Sequence, residues 1–211
     1  ISSNNGKYKY RVFPLLVSTF QEATPSYFYP TIGGYTGAKL SIVADLQANG
    51  GPLYKSNSGL NLDLLGALNI KYISYQPGLN ILGLTQVYAG NSSAVYENQK
   101  LLPKAFFVDS LVVANSAQEA YDFIDRPNVD YSTIAVVETS EQITTSEDSL
   151  SSVEVTNYTG PEISLTINRS KPGFLVLSEI YYPAGWIAKL DGNEIPIYKT
   201  NYVLRGFEIP A

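Results

Sequence analysis

Carboxylates and aromatic rings carry whatever chemistry this chain can offer, because histidine and cysteine are both absent. Without histidine no Ser-His-Asp set is possible, and the commonest general base and the commonest metal ligand are missing together. Without cysteine there is no thiolate nucleophile, no zinc-thiolate site and no disulfide framework. Two acids facing across a cleft would serve glycoside hydrolysis. The nominal choices are Asp45, Asp63, Glu97, Asp109, Glu179 and Glu194, and their spacing singles out no pair. Glu179 stands apart because it sits in an apolar run beside Tyr181 and Tyr182. A carboxylate answering Lys171, Lys189 or Arg205 is the simplest account of it.

The aromatics fall into two clusters: Tyr27, Phe28, Tyr29 and Tyr35 early, then Tyr181, Tyr182, Trp186, Tyr198 and Tyr202 late. Flat rings stack on sugars or partners, and Tyr and Trp suit places where one end is apolar and the other wet. The same rings can close the end of a β-sandwich, which is the simpler reading of the late cluster. A ligand surface is therefore expected first at Tyr27, Tyr29 and Tyr35, on a Gly- and Pro-rich loop. Glu179, Tyr182 and Trp186 are the second candidates.

Other motifs resolve into structure. "LDGNEI" supplies some oxygen ligands of a calcium loop, but it lacks the remaining positions and the closing glutamate; Asp191-Gly192 reads as a hairpin turn. "TIGGYTG" lacks the Lys-Ser/Thr of a phosphate-binding loop and the spacing of a dinucleotide fingerprint. No metal and no cofactor is expected.

The elements that would position these residues differ along the chain. "GKYKYRVFPLLV" reads as a strand, "AKLSIVADLQAN" as a helix, and "LNLDLLGALNI" as a second helix with Leu60, Leu64, Leu65 and Leu68 at helical spacing. "IKYISY", "TQVYA", "AVYEN", "KAFFVDSLVVA" and "STIAVVE" read as strands. "NSAQEAYDFID" reads as a helix opened by the capping-box pair Ser116 and Glu119 and ended at Arg126-Pro127. From Thr139 to Ser152 the composition is polar, acidic and linker-like. Six short β-rich runs follow, separated by turn signals. The expected fold class is therefore α+β. A mixed α/β part over residues 1–145 packs on an antiparallel β-sandwich, Ig-like or jelly-roll-like, over 146–211.

Composition bounds the function. A chain of 211 residues with 45% hydrophobic and 16% charged residues can bury a core and is globular. The net charge of −5, with no cationic run, argues against nucleic acid and against a basic membrane-surface helix. No apolar run approaches the roughly 20 residues needed to span a bilayer. The opening "ISSNN" and the absence of methionine read as a fragment of a longer protein.

"YRVFPL", "PSYFYPTIGGYTGAKL", "LNIKYI", "VYENQKLLPKAFFV" and above all "GFLVLSEIYYPAGWIAKLDGNEIPIYKTNYVLRGFEIPA" resemble, in order, the C-terminal region of the YfhO family of bacterial membrane proteins. The turn "YYPAGW" is one residue longer than the family form. The resemblance implies a polytopic parent similar to glycosyltransferases that use lipid-linked sugars and act on cell-surface polymers such as lipoteichoic acid. This chain would then be its extracytoplasmic C-terminal domain, on the outer face of the bacterial cell membrane. Its partners would be the parent's own transmembrane region and a cell-wall glycopolymer or lipid-linked sugar. The resemblance leads to the expectation of one more strand after "FEIPA". It carries no catalytic residue onto this sequence, since those of such enzymes lie among the spanning helices. A free carbohydrate-binding or adhesion module is the alternative, and a stand-alone hydrolase fits least well.

Overall fold

The computed structural model describes residues 10–33, 40–48, 50–54 and 59–211. Tyr35 and most of the glycine-rich loop around it lie outside the described residues. The described chain is strand-rich with short helices, and it divides into two compact units, Ile1–Pro103 and Lys104–Ala211.

The first unit contains β1 (Arg11–Pro14), α1 (Ser41–Gln47), α2 (Leu62–Ala67), β2 (Ile70–Tyr75), β3 (Leu84–Ala89) and β4 (Ala94–Asn98). Its sheet has the order β1-β2-β4-β3, parallel only between β1 and β2. The leucines read at helical spacing do face inward: Leu60, Leu64, Leu65 and Leu68 are all buried, as are Phe13, Ile70, Ile73 and Tyr96. Asn61 caps α2, its side chain accepting from the Leu64 amide at 3.1 Å.

The second unit contains β5 (Ala105–Val108), β6 (Ser110–Ala114), α3 (Ala117–Ile124), β7 (Ile134–Glu138), β8 (Ser152–Tyr158), β9 (Ile163–Asn168), β10 (Gly173–Ile180), β11 (Ala188–Leu190), β12 (Asn193–Ile195), β13 (Tyr198–Thr200) and β14 (Leu204–Ile209). Six of these strands form one sheet in the order β5-β10-β14-β13-β7-β6. All its pairs are antiparallel except β6 with β7, which α3 connects as a β-α-β crossover. The capping box forms as read: the Ser116 side chain accepts from the Glu119 amide at 3.2 Å. Glu119 reaches back to the amide of Asn115 at 2.9 Å, one residue before the cap. Ala120, Phe123 and Ile124 on α3 are buried.

The sheet corrects the boundary expected at 145/146. β5, β6 and β7 precede the polar segment and β10, β13 and β14 follow it, yet all share one sheet. Strand pairing is non-local, so a change in composition does not mark where a sheet ends. The polar segment instead crosses the unit and ties itself down. Thr145 Oγ1 donates to the Val108 carbonyl at 2.9 Å and accepts from the Phe174 amide at 3.2 Å, bridging β5 and β10. Tyr198 donates to Glu141 at 2.7 Å. Its hydroxyls and acids satisfy backbone groups that a plain linker would leave to water. β14, the last strand, lies inside the sheet between β10 and β13.

On one face of this sheet Ala105, Leu175, Leu177, Phe207 and Ile209 form an apolar cluster. The β8-β9 hairpin covers it with Val153, Val155, Ile163, Leu165 and Ile167, and Ala188, Ile195 and Ile197 pack against it from the β11-β12 region. The β11-β12 turn is the Asp191-Gly192 hairpin, with φ of 50° and 87° at its two central residues, both left-handed as a tight primed turn needs.

Candidate functional site

β10 ends at Ile180, and the chain then crosses through Tyr181, Tyr182, Pro183 and Trp186 before β11, which pairs only with β12 in a separate two-stranded sheet. The Tyr181 amide donates to the Val203 carbonyl at 2.7 Å, which anchors the start of this excursion to the turn before β14. Gly185 takes a φ of 88°, letting the chain reverse just before Trp186. The excursion and the β11-β12 hairpin enclose an open pocket of about 240 Å³. Tyr181, Tyr182, Trp186 and Ile187 are among its walls, and Ala188, Ile195 and Ile197, which pack on the core cluster, line its inner side. Glu194 is the charged residue of the lining.

Trp186 does not hang free. The Arg205 guanidinium lies against it, its carbon 4.1 Å from the ring centroid, and Arg205 Nε donates to the Ile180 carbonyl at 3.1 Å. Arg205 is buried on β14. Burial pulls its pKa below the ordinary arginine value, while the nearby charge of Glu179 works in the opposite direction. One side chain thus fixes both the end of β10 and the indole.

Glu179 is used structurally. It forms a salt bridge with Lys104 and accepts from the Tyr158 hydroxyl at 2.8 Å. The Lys104 ammonium also lies 5.0 Å from the Tyr158 ring centroid. The direct cation partner is therefore Lys104 and not Lys171 or Lys189. The reason is register: the Ser178 amide donates to the Lys104 carbonyl at 2.8 Å, which brings the residue before β5 level with the end of β10. Lys171 donates instead to the Glu147 carbonyl, and Lys189 stands across the hairpin from Glu194.

Of the residues read as ligand candidates, Tyr182 and Trp186 come together at the pocket, while Glu179 lies outside its lining and acts by its charge on Arg205, which stacks on Trp186. Tyr27 and Tyr29 belong to the other unit, in and just after a short 3-10 turn over Thr24–Tyr27. Tyr27 is 80% exposed, whereas partial burial of Tyr29 raises its phenol pKa above the ordinary value. Tyr35 lies outside the described residues. Lys104 and Tyr158 escaped the sequence reading, since only strand pairing brings them to Glu179. Arg205 and Glu194 were legible as charges near the late aromatics, but not as parts of one site.

Among the carboxylates weighed for hydrolysis, Asp63 pairs with Lys100 and Glu97 with Lys71, each at 3.4 Å. Among the described residues no group of three or more acids is placed to hold a metal ion. No helix of the described residues is long and apolar enough to cross a membrane. No family model, no curated protein and no solved structure matches this chain.

Proposed function

We propose that this chain is a non-catalytic, glycan-contacting domain that presents the Tyr181–Tyr182–Trp186 pocket to a single sugar ring of a cell-surface polymer. The observation that carries the reading is the indole held by the stacked Arg205 guanidinium while Trp186 lines an open cavity. An aromatic face fixed in advance loses little freedom on binding, and tyrosine hydroxyls beside it suit a ligand with one apolar face and a polar rim. At about 240 Å³ the pocket falls below the roughly 300–1,000 Å³ of sites that enclose a drug-sized molecule. It suits one ring with the rest of a polymer outside.

The resemblance to the YfhO family supports placing this domain on the extracytoplasmic face of a polytopic bacterial glycosyltransferase-like protein. There it would steer an acceptor glycopolymer or a lipid-linked sugar toward the membrane part. The glycan reading does not depend on that parent and holds equally for a free carbohydrate-binding module. We read the hairpins over the six-stranded sheet as the second layer of a β-sandwich, with α3 on the opposite face.

Affinity for one ring is weak. About 12 non-hydrogen atoms at about 0.3 kcal/mol each give roughly 4 kcal/mol, near a millimolar Kd. Trp186 is the chain's single tryptophan, so its fluorescence reports on this pocket alone. Titration with glucose and N-acetylglucosamine oligosaccharides is expected to give a saturable change, abolished by Tyr182→Ala. A flat titration with every sugar would overturn the reading.

A further inference from the structure

We propose that the sugar taken by this pocket carries a positive charge, as an amino sugar with a free ammonium group does; this rests on the glycan reading above. Tyr181, Tyr182 and Trp186 share the lining with one acidic residue, Glu194. Aromatic faces are the negative side of the ring quadrupole, so they attract a cation and repel an anion. A carboxylate beside them completes a cation-selective site and disfavours phosphate-bearing or uronic acid rings.

The charges facing this pocket agree with that assignment. Glu194 forms no ion pair among the described residues. Lys189, directly across the hairpin from it, is exposed and is not part of the pocket lining. Arg205 stacks over the indole and is not part of the pocket lining, and the charge of Glu179 acts on it. An ammonium group entering the cavity meets a lining whose charged residue is Glu194, with Lys189 and Arg205 outside that lining.

The site is open to solvent, so the preference is modest: about three- to tenfold for an exposed ion pair combined with an exposed cation–π contact. The test is Trp186 fluorescence titration of the whole chain with glucosamine, N-acetylglucosamine, glucose and glucose 6-phosphate, in mildly acidic buffer where the amine is charged. Glucosamine is expected to bind about three- to tenfold tighter than N-acetylglucosamine, and glucose 6-phosphate weakest. Glu194→Gln is expected to weaken glucosamine binding about two- to threefold, leaving the share that the aromatic rings contribute. Lys189→Gln, which removes the competing cation, is expected to strengthen glucosamine binding. Opposite signs from two neighbouring substitutions cannot arise from misfolding. Equal binding of glucosamine and its neutral analogues would overturn this proposal and leave the glycan reading standing, as would a preference that Glu194→Gln leaves undiminished. Failure of every sugar to bind would overturn both.

Discussion

The guanidinium carbon of Arg205 lies 4.1 Å from the centroid of the Trp186 ring, and the same side chain donates through Nε to the Ile180 carbonyl at 3.1 Å. A residue in the interior of the sheet thereby sets the position of a ring in a loop. Lysine cannot reproduce this, because it lacks the flat fork that stacks on the indole while bonding the carbonyl. Arg205→Lys is expected to cost about 1.5–3 kcal/mol, the range of one charge-assisted hydrogen bond. It should also red-shift the Trp186 emission as the indole loosens into water. Urea denaturation followed by emission spectra checks both, and an unchanged spectrum would show that Arg205 does not position the ring.

Glu179 faces Lys104 in a salt bridge whose two side chains are 15% and 8% exposed, with Arg205 also nearby. Glu179→Gln leaves two cations in a poorly solvated place, for which a loss of about 3 kcal/mol is expected. Replacing both partners, Glu179→Leu with Lys104→Met, should cost less than either single change. A double mutant as unstable as the sum of the singles would show that the pair is not coupled.

The Tyr198 phenol is pushed up to about 12, first by burial, then by its hydrogen bond to Glu141 and by the charges of Glu141 and Glu208. The ordinary value is 10.0, so the folded state holds this proton more tightly than the unfolded chain. Its contribution is complete below about pH 10 and is lost as pH rises toward about 12. Between those values the wild type should lose stability more steeply than Tyr198→Phe, which has no proton to release. Parallel alkaline denaturation curves for the two proteins would contradict the assignment.

How much of this was legible in the sequence depends on how far each feature reaches along the chain. Ser116 with Glu119, and Asp191 with Gly192, act over one to three residues, and both formed as read. The inward leucines of α2 follow from helical spacing alone. The sheet order did not, because β10 takes β5 from one side of the polar segment and β14 from the other. Glu179's partner failed for the same reason, since Lys104 is 75 positions away and is delivered by strand register. Asn201 is a further case. Buried with a φ of 46°, it exchanges bonds with Val136, its own amide donating to the carbonyl at 2.8 Å and its side chain accepting from the amide at 3.0 Å. No local pattern announces such a bond.

Because the six-stranded sheet and the apolar cluster beneath the hairpins draw only on residues from Lys104 onward, the stretch 104–211 is expected to fold alone with a cooperative transition. The stretch 146–211, which lacks β5, β6 and β7, is expected not to. Circular dichroism melts of the two pieces distinguish these outcomes. A folded 146–211 would restore the boundary that the polar segment suggested.

The glycan claim is tested most directly by the indole N–H resonance of Trp186, which a uniformly ¹⁵N-labelled chain shows as a single side-chain peak because there is one tryptophan. On titration with a cell-wall oligosaccharide the peak is predicted to move in fast exchange, together with the amides of Tyr181, Tyr182 and Glu194, while those of Tyr27 and Tyr29 stay in place. A stationary indole peak with shifts confined to Tyr27 and Tyr29 would contradict the account and transfer the ligand surface to the other unit.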